Sequence, residues 1–285
     1  MKNIPMDKKV LEEFLKAGYL YEGVYHSTTM GTAQGGIISP ILANLTLDGM
    51  KTLLKNQFKN KKVNLVRYAD DWVITAESRE VAEQVKTAVE VFLAERGLSL
   101  SEEKTKIVHI DEGFDFLSWN FRKYSGKLLI KPSKKAVATI TRTLSDIISH
   151  SKSVSQKVLI EKLNPVIRGW SLYHRNVVSA KTFSSLDHTV WELLWQWAKR
   201  RHPDKGHRWI VRKYWHSVDN LNWVFTTFAS TLKQFSDTKI RRHVLVQLGR
   251  NPFLDAEYFC KRQCDHITRQ TTVYSFFYCA LTTGL

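Results

Sequence analysis

Val63-Asn-Leu-Val-Arg-Tyr68-Ala-Asp-Asp71-Trp-Val-Ile-Thr-Ala76 decides how this chain is read. Two runs rich in β-branched and apolar residues, 63–68 and 72–76, flank Ala69-Asp70-Asp71, and the pattern predicts a hairpin. Two adjacent carboxylates then sit in a tight strand connection. If buried and unpaired they repel each other and lose hydration, and both effects raise their pKa values. A divalent cation relieves both costs, and Mg²⁺ is usually held by one or two carboxylates together with substrate phosphates. A solvated Asp-Asp turn is the plain alternative, and these residues alone leave both readings open.

Outward from the hairpin, the chain alternates helix and strand. Upstream lies Gly31-Thr-Ala-Gln-Gly-Gly-Ile-Ile-Ser-Pro40. Its glycines allow close backbone approach to a ligand, and Gln34 offers a neutral amide to a base or sugar edge. Pro40 suits a first helical turn and opens an apolar helix predicted to run through 54. A short helix is predicted over 8–16, ending near Gly18. Downstream, Ser78 is placed to cap a helix carrying Val81, Val85, Val89 and Phe92 on one face, with Gly97 closing it. Strands are predicted over 114–123 and 127–131, joined at Ser125-Gly126. Residues 1–130 therefore read as an α+β domain around an antiparallel sheet. From Pro132 the pattern turns helical, over 133–149, 158–173, 183–201 and 207–215, with a polar linker at 151–155. Asn251-Pro-Phe reads as a turn, and the last twenty residues carry no helical or strand period.

Composition narrows the function classes. The chain has 285 residues, 43% hydrophobic and 25% charged, which excludes a largely disordered polypeptide. Its three cysteines all follow residue 259 and form no disulfide framework, so a reduced, cytoplasmic setting is expected. No signal peptide and no membrane-length apolar run stands out. Charge is the unusual feature. Residues 1–130 carry 18 Lys+Arg against 17 Asp+Glu, whereas residues 131–285 carry 25 against 10. An excess of +15 confined to one part points to a polyphosphate partner. The nine tryptophans, most of them between 170 and 223 beside Lys and Arg, strengthen the nucleic-acid reading.

The order of motifs resembles one family, the reverse transcriptase/maturases encoded by bacterial group II introns. Residues 16–39 resemble that family's palm motif around a G-T-P-Q-G-G turn, with Ala33 where the family usually has proline. Tyr68-Ala-Asp-Asp71 resembles its catalytic hairpin, and residues 98–106 and 114–120 resemble the next two palm motifs. Residues 126–135 resemble the entry to the thumb. Ile167-Arg-Gly-Trp-Ser-Leu-Tyr-His174 and residues 191–215 resemble the maturase-specific region, domain X.

That resemblance spans residues 10–255 and implies a partial right-hand polymerase palm followed by a mainly helical thumb and maturase region. The implied domains are 1–130, 131–225 and a C-terminal extension, 226–285. Asp70 and Asp71 are implied as the catalytic carboxylates that hold Mg²⁺. Gln34, Gly35, Gly36 and Tyr68 are implied at the nucleotide and primer end. Lys131, Lys134, Lys135, Arg168 and Arg175 are implied on RNA, with Trp170 and Tyr173 either stacking on bases or packing in the core. The implied partners are group II intron RNA, an RNA template with its DNA primer, and target DNA.

Two departures shape the functional expectation. The family carries a third metal-binding aspartate in a strand upstream of the glycine-rich turn, preceded by a fingers region. Here Asp7 is the one aspartate ahead of Gly31, and it stands just before a helix. The expectation is therefore a C-terminal part of the family protein, deficient in RNA-directed DNA synthesis as written. The alternatives are a non-catalytic, intron RNA-binding maturase fragment or an inactive mobile-element remnant. Some relatives continue into a zinc-binding nuclease, but the C-x₃-C-x-H spacing of Cys260, Cys264 and His266 is not a standard zinc pattern.

Overall fold

The structure is a computed structural model that describes residues 7–28, 39–218, 221–241, 250, 255–258 and 278–283. The chain divides into two units, Met1–Phe114 with Phe276–Leu285, and Asp115–Ser275.

In the first unit, Asp7 caps α1 (Lys8–Lys16) by accepting from the Lys9 N–H at 2.8 Å. A small hairpin follows, β1 (Tyr19–Tyr21) and β2 (Val24–His26), turned at Glu22-Gly23. The single helix expected from Pro40 to Leu54 is two, α2 (Ser39–Thr46) and α3 (Met50–Gln57). They part at Gly49, whose φ of 88° no right-handed helix accommodates. Strands β3 (Asn64–Tyr68) and β4 (Asp71–Ala76) form the expected hairpin. Helix α4 (Arg79–Ala94) begins where Ser78 Oγ accepts from the Val81 N–H at 3.3 Å. The alternation of β4 sends Trp72, Ile74 and Ala76 into a core with Met50, Leu54, Val85 and Phe92. Strand β5 (Lys106–Val108) follows.

The second unit opens with a three-stranded sheet, β6 (Phe114–Phe116), β7 (Trp119–Tyr124) and β8 (Lys127–Pro132), in that order. The one strand expected over 114–123 is split because Leu117 and Ser118 hold φ of 48° and 67°. Ser125 and Gly126, at 44° and 82°, make the two-residue turn whose twist suits a hairpin. Four helices follow: α5 (Lys134–His150), α6 (Gln156–His174), α7 (Ala180–Arg201) and α8 (His207–Tyr214). Leu144, Leu159, Leu163, Ile167, Phe183 and Trp197 form the centre of their shared core. Trp215, expected as a helix end, instead starts β9 (Trp215–Val218). It pairs with β10 (Leu221–Thr227), which pairs with β11 (Ser230–Thr231).

The last strand, β12 (Tyr278–Thr283), lies in the first unit's sheet, whose order is β3-β4-β12-β5 with every pair antiparallel. The fold is α+β. Among the described residues, no helix is long and apolar enough to cross a membrane. The turn expected at Asn251-Pro-Phe lies outside the described residues.

Candidate functional site: the carboxylate hairpin and the basic helical unit

Pairing of Tyr68 with Asp71 leaves Ala69 and Asp70 as the two-residue connection. Ala69 holds φ at 53°, a left-handed conformation that costs a residue with a Cβ about 1–3 kcal/mol. Arg67 holds the turn in place. Its guanidinium donates to Asn44 Oδ1 on α2 at 2.9 Å and to the Ala69 carbonyl at 3.3 Å. Asp70 is exposed and Asp71 half-buried. Burial, and then the neighbouring Asp70 charge, pushes the Asp71 carboxyl above its ordinary pKa, with Lys104 pulling the other way. Two hard oxygen donors that repel each other at the mouth of a strand turn fit a divalent cation such as Mg²⁺. Among the described residues, no group of three His, Cys, Asp or Glu side chains could hold a metal ion. Tyr68 stands beside the pair, 66% exposed. Gln34, Gly35 and Gly36 lie outside the described residues, as do Cys260, Cys264 and His266.

The residues expected on RNA are spread over the second unit. Lys134 and Lys135 are exposed in the first turn of α5, where Ser133 Oγ accepts from the Ala136 N–H at 3.1 Å. Lys131 is half-buried, with its ammonium 4.7 Å from the Tyr124 ring centre. Arg168 is exposed on α6, and Arg175, half-buried at its end, accepts through its carbonyl from the Arg241 N–H at 2.9 Å. Trp170 is half-buried, edge-on to Phe183 and Phe235 and 4.0 Å from the His174 ring. Tyr173 is 47% exposed, and its hydroxyl donates to the Leu117 carbonyl at 2.8 Å.

Sequence reasoning did not single out two features. Lys104 acts on Asp71 from 33 positions away in sequence, and only its place in the Glu-Glu-Lys-Thr-Lys run at 102–106 hinted at a role. His174 is fully buried, and its Nδ1 accepts from Trp119 Nε1 at 3.0 Å.

Residues 1–121 match the reverse transcriptase (RNA-dependent DNA polymerase) family. Residues 137–215 match the group II intron maturase-specific domain. The chain is similar to the group II intron-encoded protein LtrA of Lactococcus lactis subsp. cremoris, 26% identical over 64% of this chain and 41% of LtrA. It is also 28% identical to protein YkfC of Escherichia coli, over 38% of this chain and 36% of YkfC. A putative COX1/OXI3 intron 2 protein of Saccharomyces cerevisiae is 26% identical over 40% of this chain and 20% of its own length. The chain thus spans about two fifths or less of these curated relatives.

Proposed function

Because the chain belongs to the reverse transcriptase and maturase family of group II introns, we propose that it binds group II intron RNA through its basic helical unit and that its Asp70–Asp71 hairpin is the metal-holding corner of an RNA-directed DNA polymerase palm. One observation carries this reading: a reverse transcriptase segment and a maturase-specific domain follow each other in one chain.

Asp70 and Asp71 would hold Mg²⁺. When bound, the ion lowers the cost of 3′-hydroxyl attack and offsets charge on the departing pyrophosphate. The chain's own residues prepare the corner. Arg67 fixes the turn by its bonds to Asn44 and Ala69, and Lys104 offsets part of the carboxylate repulsion. Tyr68, with Gln34, Gly35 and Gly36, would line the primer end and incoming nucleotide. Lys131, Lys134, Lys135, Arg168 and Arg175 would meet phosphates of intron RNA or of a template–primer duplex. Target DNA is a further partner on the same chemistry.

RNA binding without polymerisation is the second reading, favoured because the described residues offer no third ligand group beside the aspartate pair. Positioning two ions, a 3′-hydroxyl and a triphosphate tolerates little error, since a misplacement near 1 Å can cost on the order of 100-fold. The test is primer extension on an RNA template with Mg²⁺, run beside filter binding to group II intron RNA. We expect the 285-residue polypeptide to bind intron RNA and to extend no primer. Extension that Asp70→Ala abolishes would establish polymerisation by this chain alone. Affinity for intron RNA no greater than for an unrelated transfer RNA would overturn the intron assignment.

A further inference from the structure

Residues 199–213 join the end of α7 to α8 and carry seven Lys or Arg against the single acid Asp204. Among the described residues, none of the salt bridges uses any of these cations. Arg201 is committed internally, donating to the carbonyls of Lys152 at 2.8 Å and Val154 at 2.7 Å. Lys205 and Lys213 stand closest to Trp209 and, with Arg201, set the local positive potential. Its effect reaches His202, whose imidazole is held below its ordinary pKa by burial and then by Lys213, Arg201 and Lys205.

At the centre of this corner is Trp209. Of the tryptophans on α7 and at the start of β9, Trp197 and Trp215 are 3% exposed in the core, and Trp191 stacks on Trp195 at 5.8 Å. Trp209 is 40% exposed and stands outside that core cluster. The His202 ring packs edge-on against its indole, with ring centres 4.8 Å apart. His202 is fixed in turn by a 2.8 Å contact between its Nε2 and the hydroxyl of buried Tyr214. Lys205 and Lys213, four positions before and after Trp209, place their ammonium groups 5.6 and 4.9 Å from the ring centre.

We propose that this corner is a binding site for an unpaired nucleotide, with the base stacked on Trp209 and the flanking phosphates on Lys205 and Lys213. The site rests on the reading of this unit as RNA-binding and deepens it by naming single-stranded RNA as the form held there. Exposed indole surface with two cations close to its ring matches both parts of a single-stranded nucleotide, a π-face and the phosphates beside it. Duplex RNA hides its base faces and would use only the cations. An acidic peptide likewise has no use for the ring. The lysines leave the indole at small cost, because a cation over an exposed ring is weakly held, and a phosphate offers each a full charge. His202 keeps the indole in one orientation, so little ordering is left for binding to supply.

The test uses the 285-residue chain, a fluorescein-labelled oligoadenylate RNA of about 12 nucleotides, within the span one single-strand site covers, and an RNA duplex of the same length. Trp209→Ala is expected to weaken oligoadenylate binding about 10-fold, the scale of one stacked base, and to leave duplex affinity within about twofold. Trp209→Phe should retain most of the affinity. The double variant Lys205→Ala, Lys213→Ala should instead flatten the salt dependence, by about one unit of slope for each phosphate left without its lysine. Thermal melting checks that the variants keep the fold. Oligoadenylate binding that ignores Trp209→Ala while RNA is still bound overturns this site alone. A wild-type chain that binds neither RNA overturns the RNA reading and the site with it. Displacement of oligoadenylate by polyglutamate, with no dependence on Trp209, would overturn the site in favour of an acidic protein partner.

Discussion

His174 lies at 1% exposure with Nδ1 accepting from Trp119 Nε1, so its imidazole is neutral in the folded chain. Burial takes its pKa down from 6.5 to about 4. The unfolded chain therefore takes up this proton more readily. The stabilising contribution is complete above pH 6.5 and is lost as pH falls toward 4, by up to about 3 kcal/mol. Urea unfolding of the wild type should lose stability steeply across that window. His174→Gln, which keeps an acceptor for Trp119, should show a shallower slope, and identical slopes would remove His174 as the cause. At this scale the sequence was informative where chemistry is local. The Asp70-Asp71 turn was legible because a two-residue connection needs few residues, and Tyr68 pairs with Asp71 across it. Lys104 and the Trp119–His174 bond depend on interactions across 33 and 55 positions, which no local pattern encodes.

Among the elements, helices were the most legible, α1 at both its ends and α4 at its capping serine. Ser78, Ser133 and Ser155 each accept from the backbone N–H three positions on, at 3.3, 3.1 and 3.4 Å, and each helix starts at the following residue. The α2–α3 break was missed because the apolar run continues across it, although Asp48-Gly49 is a turn dipeptide. Gly49→Ala tests why the break exists. An added Cβ would meet only Phe92, at an ordinary 3.9 Å, so the cost is the left-handed backbone alone, about 1 kcal/mol in chemical denaturation. Gly49→Asn should cost less, because asparagine tolerates that region. An unchanged stability for the alanine variant would mean that α2 and α3 can fuse. The β9–β11 meander was hidden for a different reason. Its pairing is interrupted by a register shift between Leu221 and Val224, and Trp223 sits at φ 63°, so the alternation that marks a strand is broken. The Leu117-Ser118 break inside 114–123 is equally silent, since neither residue favours positive φ.

For the whole chain, charge separates its two parts more sharply than any motif. Residues 1–130 are nearly neutral, with 18 basic and 17 acidic side chains, while 131–285 hold 25 and 10. A protein that grips phosphates through one unit should bind RNA with an affinity set by that unit and strongly weakened by salt, because each neutralised phosphate releases condensed counterions. The log–log slope of affinity against salt should therefore be several units. Lys134 and Lys135 are exposed in the first turn of α5, in a helix with no acid in that turn and in none of the salt bridges among the described residues. Replacing both with alanine should flatten the slope by about one unit per phosphate no longer neutralised and weaken all RNA sequences alike. Lys8 and Lys9, exposed on α1 in the near-neutral part, serve as the control: their replacement should leave the slope where it was. If affinity were insensitive to salt, or if the α1 lysines carried as much of the slope as the α5 pair, the positive excess of 131–285 would not be what holds RNA.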